Sequence, residues 1–364
     1  MKVNFVVHSL DKSNMGGVIK VVTDLANALV EKNIDVCIYS IGKIDEICFN
    51  TISKVNIISL GSYKHSTSQY LSYKKINWFI ENFNIFNELL KDKQNEIWLP
   101  TSPPLNLLFS ILKIFNPKIT IVGCDHTSTI FSKGFFVDGL KYLLLKKLDL
   151  MVALTDQDKH FYSSKGINSI VIPNFVDIDS IELCKENERL NVVYVGRFSA
   201  EKQPLEALEI FHKSELWKSG KKFKMFGYGS LKVAINDYIE NNRLTDFVEV
   251  IGNETNPEKI YKDAFCLLMT SKVEGFPMVL LEAISRGIPC FSYDCKYGPR
   301  NIITNGVNGR LIKQNDKLTF IRELNLSNIL QLIDSIENDS KIQEFNKPLI
   351  ISKWVEALNN YKKG

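Results

Sequence analysis

The stretch Glu274-Gly-Phe-Pro-Met-Val-Leu-Leu-Glu282 sets two carboxylates eight positions apart, and the chain runs on through Ala-Ile-Ser-Arg-Gly-Ile-Pro-Cys-Phe. Pro277 suits a first helical turn, and Gly287 followed by Pro289 supplies a stop, so a helix is expected over 278–286. Glu274 then lies in the loop ahead of that helix, and Glu282 leaves the helix near its second turn. Such a junction offers two acceptors for hydroxyls beside first-turn N–H groups and a helix dipole that favours anions. A ligand carrying both hydroxyls and phosphate fits the pattern.

Other candidates recur where a strand pattern gives way to a helix pattern. Tyr194-Val-Gly-Arg-Phe-Ser-Ala-Glu-Lys202 ends a strand on Gly196 and places Arg197 and Lys202 five positions apart. Two cations converging at the carboxyl edge of a parallel strand would neutralise a diphosphate; the alternative is a surface loop with ordinary charges. Met225-Phe-Gly-Tyr-Gly-Ser230 carries Gly227 in a Gly-x-Gly turn that would let backbone approach a base or phosphate, and Gly252-Asn253 repeats the strand-end glycine one unit later. Ser9-Leu-Asp-Lys-Ser-Asn-Met-Gly-Gly17 is neither a Gly-x-Gly-x-x-Gly nor a P-loop, yet Gly16 and Gly17 open a helix where a phosphate or sugar ring could rest on amides. Val122-Gly-Cys-Asp-His-Thr-Ser128 sets His126 directly after a strand, where a satisfied structural histidine is the plain alternative to a functional one.

The elements needed to position these residues can be read from hydrophobic periodicity. Strand patterns at 2–8, 35–40, 55–60, 96–99, 119–123, 150–153 and 169–172 alternate with helical segments at 18–32, 76–92, 105–115, 137–147 and 156–164, which predicts a doubly wound parallel sheet. The alternation restarts after Ile172-Pro-Asn-Phe-Val-Asp177. Strands at 191–196, 222–226, 247–251, 265–269 and 289–292 alternate with helices at 203–219, 230–241, 256–262 and 278–286, and a final pair falls near 302–312. Two Rossmann-like halves in series result, with the seam near 173–190. The last segment reads as an amphipathic helix with Ile351, Trp354, Val355 and Leu358 on one face, to be buried against another element.

Composition agrees with that plan. The chain has 364 residues, 45% hydrophobic and 24% charged, enough for two domains with cores of their own. No apolar run reaches membrane-spanning length, and the chain opens directly into a strand pattern at Lys2 without a signal-peptide pattern, so a cytoplasmic protein is expected. The seven cysteines have no Cys-x-x-Cys spacing and read as reduced core residues; neither they nor the five histidines suggest a metal site. Net charge is +4, and residues 1–175 hold 19 basic against 15 acidic residues while 176–364 hold 26 against 26. The basic half suits an anionic partner or a membrane surface, but no Lys/Arg run points to nucleic acid.

The order of motifs resembles the retaining GT-B glycosyltransferases of family 4: a Gly-Gly loop, a strand-end His, Gly-Arg-x4-Lys, Gly-x-Gly and Glu-x7-Glu with Gly-Phe-Pro. Gly298-Pro-Arg-Asn-Ile-Ile-Thr-Asn-Gly-Val-Asn-Gly309 is similar to a segment of bacterial members, with Asn301 where an acid is usual and Gly227-Tyr-Gly-Ser230 in place of Gly-Asp-Gly-Pro. The resemblance implies two Rossmann-like domains facing across an interdomain cleft: an acceptor-binding domain over 1–175, a nucleotide-sugar-binding domain over 176–345, and a helix over 346–364 crossing back to the first. It implies that Arg197 and Lys202 hold the nucleotide diphosphate, that Glu282 accepts from the ribose, and that Glu274 contacts the donor sugar. Backbone of Gly275, Phe276, Pro277, Met278 and Val279 would lie nearby. Gly17 would approach phosphate and sugar, and His126 would lie beside the reacting carbon.

The implied activity is metal-independent transfer of a hexosyl or N-acetylhexosaminyl group from a UDP-sugar, with retention, to a glycan or lipid-linked glycan in bacterial surface polysaccharide synthesis. A non-catalytic nucleotide-sugar-binding subunit and a GT-B epimerase stand as alternatives. For the acceptor, Tyr70, Tyr73, Lys74, Lys75 and Trp78, with the loop Phe131–Phe136, form aromatic and basic stretches suited to the cytoplasmic face of a membrane or a lipid-linked glycan; helix core with solvated lysines is the other reading.

Overall fold

The computed structural model describes residues 1–12, 16–47, 51–62, 73–126, 135–181, 183 and 189–361, the side chains of 73–75 and 135–138 excepted. The chain divides into two compact units, one formed by Met1–Asn174 with Pro348–Gly364 and the other by Phe175–Lys347.

In the first unit, β1 (Lys2–Val7), α1 (Gly17–Glu31), β2 (Asp35–Ser40), β3 (Asn56–Ser59), α2 (Tyr73–Lys91), β4 (Ile97–Pro100), α3 (Pro103–Phe115), β5 (Thr120–Cys124), α4 (Phe135–Leu145), β6 (Leu150–Ala153), α5 (Asp156–Ser164) and β7 (Ser169–Val171) alternate along the chain. The strands form one parallel sheet in the order β3-β2-β1-β4-β5-β6-β7. Because β2 and β3 extend from one side of β1 and β4 from the other, the order reverses between β1 and β4, and the loops leaving those two strands diverge. Strands buried on both faces explain the continuous apolar runs in the sequence. Trp98, Tyr39, Phe86 and Phe109 interlock in its core, with ring centroids 5.0 Å apart between Phe86 and Phe109.

The second unit repeats the plan with β8 (Asn191–Val195), α6 (Pro204–Ser214), β9 (Lys222–Phe226), α7 (Lys232–Asn241), β10 (Val248–Gly252), α8 (Pro257–Tyr261), β11 (Ala264–Met269), α9 (Met278–Ile284), β12 (Cys290–Tyr293), α10 (Gly298–Ile302) and β13 (Gly309–Ile312). Its parallel sheet runs β10-β9-β8-β11-β12-β13, so the reversal falls between β8 and β11. α11 (Lys317–Glu323) and α12 (Leu326–Ile336) follow, each capped at its N-terminus by an Asp316 or Asn325 side chain. Both doubly wound sheets expected from the alternation are present.

Three local expectations need correction. The helix expected over 203–219 ends at Ser214: Glu215 takes a left-handed conformation (φ 59°) and a separate 3-10 turn spans Leu216–Ser219. The pair expected near 302–312 is one strand only. Its first half is the end of α10 and a turn in which buried Asn308 donates to the Ile302 carbonyl (3.2 Å) and accepts from Thr304 N–H (2.8 Å). α11 and α12 were not foreseen.

The last helix, α13 (Lys347–Asn359), buries Ile350, Ile351, Trp354, Ala357 and Leu358, with Val355 half-buried at the edge of the face. Beyond it, the Tyr361 hydroxyl donates to the Asp149 carbonyl (3.1 Å) and accepts from Asn168 Nδ2 (2.8 Å), tying the chain end to the strands β6 and β7 of its own unit. Cys37, Cys124, Cys266, Cys290 and Cys295 are buried free thiols, and Cys48 and Cys184 lie outside the described residues. No helix among the described residues is long and apolar enough to cross a membrane. Trp354→Ala should cost about 3–5 kcal/mol of stability in urea unfolding; a loss below about 1 kcal/mol would contradict the burial of this face.

Candidate functional site

The carboxyl end of the second sheet collects most of the sequence candidates, and the strand-order reversal there separates two loops. Gly196, Arg197 and Lys202 follow β8; Glu274, Gly275, Phe276 and Pro277 follow β11. A reversal of this kind leaves a crevice that neighbouring loops do not fill, which is where open α/β sheets take ligands.

Lys202 and Glu274 meet in that place. The Lys202 ammonium donates to both carboxylate oxygens of Glu274, at 2.6 and 2.7 Å, with side chains only 21% and 11% exposed. Glu274 is fixed by its neighbours: its backbone forms a parallel bridge with Tyr297, and Gly298 packs so closely that a Cβ there would fall 2.7 Å from Pro277 Cδ and 3.0 Å from the Gly275 carbonyl. Phe276 is buried edge-to-face against Phe345, centroids 5.5 Å apart. Pro277 is the N-cap residue of α9 rather than part of its first turn; Met278 is buried and Val279 half-buried. Nearby, burial and the Glu274 charge push the Cys295 thiol up to about 12, and the Tyr194 hydroxyl is held well above its ordinary range by the same two causes. Both groups stay protonated and neutral near neutral pH.

Glu282, expected to point off the helix near its second turn, is largely buried on α9 and accepts from the Tyr261 hydroxyl at 3.2 Å. Burial, reinforced by the Glu282 charge, raises the Tyr261 pKa well above its usual range, so that phenol remains a donor. Arg197 is exposed and makes no ion pair among the described residues. In the segment after α9, Arg300 is paired with Asp294 (2.7 Å) and the Asn301 amide donates to the Tyr297 carbonyl, tying down the turn that bridges to Glu274.

The Gly-x-Gly turn has a different first use from the one expected. Gly196 N–H donates to the Phe226 carbonyl (2.9 Å), Phe198 N–H to Tyr228 (2.7 Å) and Gly227 N–H to Gly252 (2.6 Å), zipping the three strand-end loops together. A Cβ at Gly227 (φ 155°) would lie 1.9 Å from the Gly196 carbonyl oxygen. Glycine there is demanded by loop-to-loop approach. Asn253, next in the chain, is exposed.

In the first unit, Gly16 is extended and Gly17 begins α1, and a Cβ at either meets no atom of the described residues within 4 Å. His126 follows β5 with Nε2 3.5 Å from Cys124 Sγ, and burial lowers its pKa to about 4. Next to it, Asp125 accepts from the Tyr162 hydroxyl (2.9 Å). At the reversal between β1 and β4 lies a pair the sequence reading missed: His8 Nε2 is 2.8 Å from Ser102 Oγ. Ser102 is the N-cap of α3 but makes no side-chain cap; Pro103 and Pro104 leave Leu105 as the first residue of the helix with an N–H. The signal was present in His8 ending one strand and Thr-Ser-Pro-Pro ending another, but pairing them needs the strand order. Trp78, read either as part of a membrane-facing stretch or as helix core, is 4% exposed and packs at 5.7 Å from the His8 ring, as the second reading expects. Tyr70, the side chains of Tyr73, Lys74 and Lys75, residues 131–134 and the side chains of Phe135 and Phe136 lie outside the described residues, as does Ser13–Met15 of the Gly-Gly loop. No group of three or more His, Cys, Asp or Glu that could hold a metal ion occurs among the described residues.

Residues 177–330 match the model of the family Glycosyl transferases group 1. The amylovoran biosynthesis glycosyltransferase AmsD of Erwinia amylovora is 26% identical over 95% of this chain and 97% of its own length. The apo structure of the lipopolysaccharide outer core galactosyltransferase WaaB superposes with a TM-score of 0.74 over 99% of this chain and 100% of that one, at 22% identity. Anabaena Alr3699/HepE, solved in complex with UDP and glucose, superposes with a TM-score of 0.72 over 99% of both chains at 14% identity. The fold is GT-B, two doubly wound parallel-sheet units in series. The match to the group 1 glycosyltransferases thus covers the second unit, and the relative that spans nearly the whole chain is a glycosyltransferase by its name.

Two measurements check this geometry. Gly227→Ala should lose about 2–4 kcal/mol of stability, against less than about 1 kcal/mol for Gly17→Ala; equal losses would contradict the zipped loops. For His126, the depressed pKa means that the unfolded chain binds a proton first as pH falls. Its contribution is intact above about pH 6.5 and lost towards pH 4, amounting to about 2–3 kcal/mol between pH 7.5 and 4.5. His126→Gln should flatten that part of the decline, and an unchanged decline would contradict burial of the neutral ring.

Proposed function

We propose that this chain transfers a hexosyl or N-acetylhexosaminyl group from a UDP-sugar to a glycan or lipid-linked glycan acceptor of a bacterial surface polysaccharide, with retention of configuration and without a metal ion. The observation that carries this reading is the Lys202–Glu274 pair at the strand-order reversal of the unit that matches the family. AmsD by its name serves amylovoran biosynthesis and WaaB the lipopolysaccharide outer core, which supports this acceptor class; UDP and glucose in Alr3699/HepE support the donor class.

A part-buried ion pair cannot be split without new partners, because each charge would be left poorly solvated. A sugar nucleotide supplies both. Its diphosphate takes over Lys202, aided by exposed Arg197, while hydroxyls of the transferred sugar donate to Glu274. Gly275 to Val279 and the backbone of Gly196, Gly227, Gly252 and Asn253 border the nucleotide, and Glu282, with one oxygen already bonded to Tyr261, accepts from the ribose. Gly16, Gly17 and His126 are the first unit's candidates for substrate contact; His126 enters as a neutral ring.

In the transfer, the bond from the anomeric carbon to the phosphate oxygen breaks, negative charge grows on the diphosphate and positive charge on the sugar. Arg197 and Lys202 stabilise the departing anion electrostatically, the task a divalent cation performs elsewhere. The acceptor hydroxyl attacks from the face the phosphate leaves, and its proton passes to that phosphate oxygen. No side-chain base is required.

UDP-sugar present at 100 times its Kd should stabilise the folded chain by about 2.7 kcal/mol in thermal unfolding. Lys202→Ala should lower kcat by about 10² to 10³-fold, and chelation by EDTA should leave the rate unchanged. Binding of none of the UDP-, GDP- and ADP-sugars would overturn the reading; a rate lost to EDTA would overturn its metal-free part.

A further inference from the structure

The main chain just after Lys202 is held in an unfavourable conformation. Gln203 has φ 49° and ψ 51°, left-handed for a residue with a side chain, and it redirects the chain into Pro204 at the start of α6. Such a conformation persists only where the surroundings over-determine it. Here the end of β11 does so. The hydroxyl of Thr270, fully buried, donates to the Gln203 carbonyl at 2.8 Å and lies 3.2 Å from the Lys202 carbonyl. One hydroxyl carries one proton, so the shorter bond is the principal one. The Lys202 carbonyl also accepts from the buried Tyr194 hydroxyl at 3.2 Å, and Lys272 N–H donates to the Glu201 carbonyl at 2.9 Å.

The strand end that supplies these donors also leads, four residues beyond Thr270, to Glu274. The hydroxyl therefore joins the backbone that carries the cation to the strand that carries its carboxylate. We propose that Thr270 is a positioning residue that sets Lys202 in register with Glu274 and, if the function proposed above holds, with the donor's diphosphate. Tyr194 seconds it from β8. A purely structural threonine would satisfy the same carbonyl, but its loss would weaken the fold without acting through Lys202.

The experiment compares Thr270→Val, which keeps shape and removes the hydroxyl, with Thr270→Ser, which restores it, in the wild-type and Lys202→Ala backgrounds. Without ligand, acetylation of Lys202 by acetic anhydride is followed by mass spectrometry against Lys224, whose pairing with Asp263 at 2.6 Å is comparably exposed. Thr270→Val should raise the Lys202 rate about three- to tenfold relative to Lys224, and weaken UDP binding in calorimetry by a similar factor. Thr270→Ser should resemble wild type. In the Lys202→Ala background, Thr270→Val should change UDP affinity by less than about twofold.

A wild-type acetylation ratio in folded Thr270→Val, or the same loss of UDP affinity in both backgrounds, would overturn the proposal. If wild-type protein binds no UDP, the donor assignment fails, and the acetylation ratio still decides the role of Thr270. Should Thr270→Val not fold, Tyr194→Phe removes one donor to the Lys202 carbonyl and should raise the same ratio; an unchanged ratio would overturn the proposal.

Discussion

The Lys202–Glu274 ion pair is the constraint around which the second unit is organised. Two opposite charges, each largely withdrawn from water, are stable together only while their backbones keep them within hydrogen-bond distance. The sheet supplies that precision through its topology: β8 and β11 are hydrogen-bonded neighbours although far apart in sequence, so the loops that carry the two charges begin side by side. Every support found around the pair acts on one of those loops. Thr270 and Tyr194 grip the Lys202 segment, while the Tyr297 bridge and the close packing of Gly298 hold the Glu274 segment.

Under the proposed function, the pair already makes the kinds of bond that a sugar nucleotide would make with each partner. Lys202 is already oriented by an anion, and Glu274 by a donor. A sugar nucleotide would exchange one set of charge-assisted bonds for another, with little reorganisation of the protein, which is the condition for electrostatic stabilisation of a leaving diphosphate. In the same proposal Arg197, exposed and without an ion pair among the described residues, would answer charge that grows only as the bond breaks.

Much of the fold was legible because parallel strands buried on both faces leave continuous apolar runs such as Val192–Val195 and Phe265–Met269, and these alternate with helical periodicity. The failures were local. Glu215 breaks a helix in a left-handed conformation that its residue type does not announce, and α11 and α12 follow the last strand, where strand–helix alternation no longer guides the reading. For the site, strand-end position was legible and pairing was not. Lys202 and Glu274 lie 72 residues apart, and only the sheet order makes them neighbours; the same holds for His8 and Ser102, 94 apart. The glycines misled in a different way. Gly227 was read for what it would allow a ligand to do, whereas the space left by its missing Cβ is taken first by the Gly196 carbonyl. For Trp78 the sequence allowed either a membrane-facing stretch or helix core, and its burial agrees with the second.

The most direct measurement is photo-crosslinking of the intact chain with a UDP analogue that carries its photoreactive group on the terminal phosphate, followed by peptide mapping. The account predicts labelled peptides covering 196–203 and 270–282, suppressed by excess UDP. Labelling that UDP suppresses but that falls in neither segment would contradict the assignment of the Lys202–Glu274 pair to the donor's diphosphate and sugar.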